Sequence, residues 1–196
     1  MLFAIIGNSL TLGIIYTVES LRTKTYVFVA NLAIADLLVG LLVMPIVLTA
    51  SISDRWPFVQ DWICELSSSM NGQCCLTSIA SLCAIAIERY HSIINPLHYE
   101  SKMSKRNVII LLCWTWIQPF IFIILGLGKV GYVPYSFICL PKWQDNAILA
   151  MSVYVLCVFI PILLTSKLYY HICKLTFQHL KRVQNVTTIA SLTRIM

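Results

Sequence analysis

The sequence predicts an all-α membrane protein with five spanning helices, and two observations carry that prediction. Of its 196 residues 59% are hydrophobic and 11% charged, whereas a soluble domain carries roughly 25% charged residues. Crossing a hydrocarbon layer of roughly 30 Å takes about 20 mostly apolar residues. Five stretches approach or exceed that length, at 1–18, 26–50, 64–87, 107–127 and 147–168. No Gly-, Ser- or Pro-rich linker, low-complexity tract or internal repeat separates them. Residues 1–196 therefore read as one domain, with 169–196 as the end of the fifth helix and the loop beyond it.

The first stretch lacks the basic start and small-residue cleavage site of a signal peptide, and Gly7 and Asn8 sit inside its apolar run. It reads as a span that begins abruptly, short enough to predict a missing preceding piece. The second stretch carries Asp36 in the middle of an apolar run, Leu32 to Pro45. Pro119 and Pro161 lie in the fourth and fifth. Each proline removes a backbone donor and predicts a bend, tolerated in a membrane where neighbouring helices satisfy the freed carbonyls.

The third stretch differs from the others. Ser67, Ser68, Ser69, Asn71, Gly72 and Gln73 make it too polar to face lipid, which predicts a central position where small and polar groups pack and hydrogen-bond. A helix from Cys64 to Arg89 rises about 38 Å, more than the layer is thick, so it is expected to be long and tilted.

Lysine and arginine accumulate in cytoplasmic loops. With the amino terminus outside, Arg55, Lys129 and Lys142 are outer and the other 11 of the 14 basic residues, from Arg22 to Arg194, are inner. The net charge of +6 thus reads as a topology signal, and nucleic-acid binding is not expected. Inverted-repeat transporters show similar halves; these spans do not.

Asp36 sits in mid-span, where a charge costs at least about 2.5 kcal/mol on insertion scales. It reads either as a hydrogen-bonding hub or as a cation site or proton switch, with Asn8 and Ser78 as neighbours at similar depth. Glu88, Arg89 and Tyr90 end the third span, where an arginine can snorkel to water or pair with the adjacent carboxylate. Asn71, Cys75, Ser78, Leu82, Ile85 and Arg89 follow one another at helical spacing. That stripe joins an outer cavity to the inner arginine, as a transmembrane transducer requires.

These landmarks, with others in the same order, resemble the class A (rhodopsin-like) G-protein-coupled receptors. They are Gly7-Asn8, Asn31-Leu32-Ala33-Ile34-Ala35-Asp36-Leu37-Leu38, Trp56 with Phe58, Cys64, Glu88-Arg89-Tyr90, Pro96-Leu97, Trp114 or Trp116, Cys139, and Pro161 with Tyr169. The resemblance covers nearly the whole chain and implies a rhodopsin-like bundle of seven helices, of which five are present. The sixth and seventh, with their aromatic-proline and Asn-Pro-Tyr signatures, are absent from it. It further implies a sodium ion at Asp36 and Ser78 with Asn8 beside it, as an allosteric modulator and the one metal expected. Arg89, flanked by Glu88 and Tyr90, would be the coupling switch, Leu97 an insertion into the G protein, and Tyr169 a partner that swings toward Arg89. Ile79 and Pro161 would belong to the core that repacks on activation. Pro119 stands only three residues after Trp116, earlier than the family usually has a proline.

Helix two, at Leu41-Leu42-Val43-Met44-Pro45, resembles the biogenic-amine branch, yet those receptors carry an aspartate where this chain has Asn71. A neutral amide cannot form the ion pair that holds an ammonium. Asn71, Cys75, Val153 and Tyr154 are the ligand-pocket candidates. Cys64 and Cys139 are the two cysteines that the topology places on the oxidising outer side, so a disulfide is expected between them. The remaining cysteines read as small apolar packers, with Cys173 a candidate for lipidation. Asn185-Val186-Thr187 matches a glycosylation pattern on the wrong side to be modified. No phosphate loop or nucleophile elbow appears, so no enzyme activity is expected. The implied function is a multi-pass plasma-membrane receptor passing the binding of an extracellular ligand to a heterotrimeric G protein, with receptor oligomers as a further expected partner. Two alternatives stay open: a non-signalling short isoform that modifies a full-length receptor, and a small transporter or channel subunit.

Overall fold

A computed structural model describes residues 1–21, 23–53, 55–58, 61–126, 130–142 and 146–193, without the side chains of 126 and 185–193. Arg22, Lys129 and Arg194 of the charge count, Leu127 at the end of the expected fourth span, and the side chain of Asn185 lie outside these described residues.

Five helices dominate. They are α1 (Leu2–Thr17), α2 (Lys24–Ile52), α3 (Asp61–Ile94), α4 (Lys105–Gly126) and α5, which starts at Ala147 and continues through Ile160–Thr193. Helices α2 to α5 are long and apolar enough to cross a membrane; α1, with 16 residues, is a shorter apolar helix. At 34 residues, α3 rises about 51 Å, well beyond the roughly 30 Å of a hydrocarbon layer. The fifth helix continues past the expected span end near 168 and runs on as one helix to Thr193, through residues expected to hold both its inner end and the loop beyond it.

Two of the three expected proline sites take a particular form. Val39–Val43 and Tyr154–Phe159 are π-helical, and each is followed by a single residue and then Pro45 or Pro161. A proline ring clashes with the carbonyl four residues earlier and offers no N–H. Widening the turn before it displaces that carbonyl, the usual setting of a π-bulge. Pro119 lies inside α4, which keeps its α-helical assignment from end to end.

The all-α expectation needs one addition. Between α4 and α5 lies an antiparallel hairpin, β1 (Val130–Val133) and β2 (Ile138–Pro141), with Gly131 opposite Leu140 and Tyr132 opposite Cys139. Its turn puts Phe137 at φ 55°.

Helix α3 is central and packs against α2, α4 and α5, as its polar sequence predicted. Its buried side carries Cys74, Thr77, Ser81, Ala84 and Glu88, at steps of three and four residues that keep one helical face inward. Phe28 of α2, Ala84 of α3 and Val108 of α4 form an apolar cluster with Ile85, Leu111 and Leu112 around it. Helix α1 leans on α2, where a Cβ on Gly40 would come 3.1 Å from Ile5 Cγ1. That close approach suits glycine.

Candidate functional site

Cys64, in the first turns of α3, is bonded to Cys139 of β2, with 5.4 Å between their Cα atoms. The bond expected from the topology is therefore present, and it holds the hairpin against the end of α3. Trp56 packs edge-on to Phe58 at 5.1 Å and tilted against Tyr132 of β1 at 5.3 Å, so the connection between α2 and α3 leans on the same hairpin.

Beneath the hairpin lies a cavity of about 530 Å³ bounded by α3, α4, α5 and β2. Asn71 and Cys75 of α3 and Val153 and Tyr154 of α5 all line it, together with Phe122 of α4 and Lys142 just past β2. The structure thus brings the four pocket candidates together. The Cys75 thiol faces Asn71 Oδ1 at 3.8 Å, and α5 begins with Asn146 Oδ1 accepting from Leu149 N at 3.1 Å, a helix cap. Lys142 is the one ionisable Lys, Arg, Asp or Glu side chain among the described residues that line the cavity.

Deeper in the bundle, Ser78 Oγ donates to Asp36 Oδ1 at 3.1 Å, joining α3 to α2. Asn8 turns to its own helix, where Nδ2 donates to the Ala4 carbonyl at 2.9 Å. Hard cations take oxygen ligands, and the Asp36 carboxylate and Ser78 hydroxyl are of that kind. They form a fitting pair for sodium, though two residues alone do not enclose an ion.

A polar network lies on the buried side of α3, and half of its members, Thr77, Ser81 and Thr115, escaped the sequence reading. Asn31 Nδ2 donates to Ser81 Oγ at 2.8 Å and to Thr115 Oγ1 at 3.2 Å, while Trp116 Nε1 donates to Asn31 Oδ1 at 2.9 Å. Gln73 Nε2 donates to the Trp116 carbonyl at 2.9 Å, and Thr77 Oγ1 to the Thr115 carbonyl at 3.0 Å. Helices α2, α3 and α4 are thereby tied through side chains, each bond worth about 0.6 kcal/mol on average within a membrane. The signal in the sequence was hydroxyls at three- and four-residue spacing on α3, without any mark of their partners.

At the opposite end of α3, Glu88 is 1% exposed. Its Oε1 accepts from the Tyr99 hydroxyl at 2.7 Å. Arg89 Nε is 3.9 Å from Glu88 Oε2, within ion-pair range but too far for a hydrogen bond, and its side chain is about half exposed. Tyr99 belongs to a short helical turn, Tyr99–Lys102. Burial and the Glu88 carboxylate push its phenol above the ordinary value. Lys24 Nζ caps this arrangement, 4.8 Å from the Tyr99 ring centroid and 2.6 Å from Glu100 Oε2. Tyr90 sets its ring edge-on to His91. Leu97 is 93% exposed and Tyr169 is also exposed, and neither touches Arg89 through a hydrogen bond among the described contacts. A cleft of about 440 Å³ separates Ile93 and Ile94 of α3 from Leu175, His179 and Arg182 of α5.

The profile of the 7 transmembrane receptor (rhodopsin family) matches residues 7–195. Octopamine receptor beta-2R of Chilo suppressalis is 34% identical over 134 residues, which is 68% of this chain and 32% of that one. Alpha-1A adrenergic receptor of Oryzias latipes is 35% identical over 130 residues, 66% of this chain and 27% of that one. 5-hydroxytryptamine receptor 1A-alpha of Takifugu rubripes is 35% identical over 120 residues, 61% and 28% of the two chains. The matched stretch spans about a third or less of the length of these relatives, which are receptors and not enzymes. A match over nearly the whole chain, on a membrane-helix bundle with the disulfide in place, leaves one assignment: the chain belongs to the rhodopsin family of seven-transmembrane receptors.

Proposed function

We propose that this chain forms the ligand-binding and coupling helices of a plasma-membrane receptor, amino terminus outside, that passes the binding of an extracellular small molecule to a heterotrimeric G protein. The observation that carries this reading is the course of α3. The same rigid helix lines the cavity with Asn71 and Cys75 and ends, on the other side of the membrane, in Glu88 and Arg89. A ligand that shifts this helix along or about its axis necessarily moves the arginine. Arg89 is poised for release because its pairing with Glu88 is loose, while Tyr99 holds Glu88 from the other side. Leu97 stands out from the surface at the same end, as an insertion into a partner's apolar pocket requires. Tyr169 of α5 supplies a hydroxyl for the displaced arginine. A sodium ion at Asp36 and Ser78 belongs to the same reading; bound there it would supply a positive charge that holds α2 and α3 together in the resting state.

The test is nucleotide exchange on a purified heterotrimeric G protein, driven by the 196-residue chain reconstituted with the two further helices of a related receptor. Exchange is expected above the level of empty nanodiscs, and Arg89→Ala is expected to lower it at least about tenfold, as loss of a charge-assisted contact does. Exchange indifferent to Arg89 would refute the proposal.

A further inference from the structure

We propose that the cavity under the hairpin takes a small molecule with a carboxylate on an otherwise apolar body, anchored by Lys142 and Asn71; this rests on reading that cavity as the ligand site. The relatives named above are receptors for octopamine, adrenergic ligands and 5-hydroxytryptamine, and the inference runs against the amine chemistry of two of those names. Four observations carry it.

The first is the charge of the lining. Among the described residues around the cavity Lys142 is the one basic side chain of Lys or Arg type, and no aspartate or glutamate is present. An ammonium entering would give up water and meet a like charge, with no carboxylate among the described lining residues to compensate it. A carboxylate would gain a charge-assisted bond. The second is that the lysine is placed by the fold. A Cβ on Gly131 would lie 2.8 Å from Lys142 Cε and 3.6 Å from its Cγ, so the bare glycine of β1 is what lets the lysine stem lie flat across the strand. The Cys64–Cys139 bond, one ladder position from Gly131, fixes the paired strand β2 to α3.

The third observation is that no ion pair with a described carboxylate holds Lys142, whereas Lys24 and Arg89 each have one. Lys142 is exposed, so its ammonium can turn to a ligand without breaking an ion pair among the described residues. The fourth is the rest of the wall. Leu76, Phe122 and Tyr154 offer apolar and aromatic surface, and Asn71 offers amide donors to a second carboxylate oxygen. The volume of about 530 Å³ is that of a small-molecule site.

A carboxylate on an apolar body can come from water as an aryl acid or from the bilayer as a fatty acid. The experiment separates the two. Equilibrium dialysis would measure binding of three labelled probes to the 196-residue chain in nanodiscs, against empty nanodiscs. The probes are 4-hydroxymandelate, octopamine, which carries the same ring and hydroxyl with an aminomethyl group in place of the carboxylate, and decanoate. At least one acid is expected to bind about tenfold more tightly than octopamine, and which acid does so identifies the source. Lys142→Ala is expected to weaken acid binding about tenfold, Lys142→Arg to retain it, and Asn71→Asp to reverse the preference toward octopamine. Gly131→Ala, which displaces only the flexible lysine stem, is expected to weaken acid binding with the fold intact. Octopamine binding as tight as either acid would overturn the anion assignment while leaving the cavity a ligand site, and acid binding untouched by Lys142→Ala would overturn it too. No binding by any probe would overturn the inference, whereas the exchange assay on Arg89 would still decide the coupling reading by itself.

Discussion

Trp114 and Trp116 stand two positions apart on α4 and face opposite surroundings. Trp116 donates to Asn31 across the bundle, whereas Trp114 is 55% exposed and lines an apolar groove of about 580 Å³ between α3, α4 and α5. Trp116→Phe is expected to lower thermal stability in nanodiscs by about 0.6 kcal/mol, the average for an interhelical hydrogen bond in a membrane, and Trp114→Phe to leave it unchanged. Equal melting shifts in the two variants would remove the distinction. The sequence offered both tryptophans without deciding between them, because the rotation of α4 about its axis leaves no trace in a helix that is apolar all round. Asp36, Arg89 and the cysteines were legible for the opposite reason: a charge inside an apolar run, or a thiol on the outer side, stands out wherever the helix is turned. Thr77, Ser81 and Thr115 were not. A small hydroxyl can satisfy itself on its own helix, as Ser81 does on the Thr77 carbonyl at 2.7 Å, so only the packed bundle shows which of them bridge.

Among the elements, each expected span coincides with an apolar helix in the expected order, four of them long enough to cross a membrane and the first shorter, but their ends were placed by hydropathy, which says nothing about helix continuing into water. Hence α3 and α5 overrun their expected limits. The hairpin was missed because four-residue strands carry almost no periodic signal, and this one ends in Pro141, which argues against a strand. What sustains it is covalent. The bond between Cys64 and Cys139 closes a loop with a sequence separation of 75. Loop-closure entropy for that length is about 4.5 kcal/mol, an upper bound here because inserted helices already restrict the chain. Cys64→Ser and Cys139→Ser are each expected to lower the melting temperature, and the double variant to be no worse than either single one. A double variant with the summed loss would mean that the two residues act separately.

For the whole molecule, α3 is the most covered of the long spans and α5 the least. The stripe from Asn71 to Arg89 follows the open side of α3, with Cys75, Leu82 and Arg89 exposed, while the steps through Cys74, Thr77, Ser81, Ala84 and Glu88 face α2 and α4. Periodicity found a true helical face there, but not which of two neighbouring faces the other helices cover. The orientation can be checked on Cys173, exposed on the far part of α5. With Cys75 and Cys113 replaced by alanine, a membrane-impermeant maleimide is expected to leave Cys173 unlabelled on intact cells and to label it after permeabilisation. Labelling without permeabilisation would invert the topology and place Arg89 outside.

The two widened turns in front of Pro45 and Pro161 also act as phase shifters. Each accommodates one more residue than an α-helical turn, so everything beyond it is rotated by about 100° relative to a straight helix. Deleting a single residue within Tyr154–Phe159 would let that turn relax to α geometry. Cysteine, tyrosine and lysine positions from Pro161 onward would then point a quarter-turn or more away from their present directions relative to Val153, with the composition of the helix almost unchanged. The relation between the two halves of α5 is thus set by a count of residues, and its tolerance to insertion and deletion should be far lower than its tolerance to substitution.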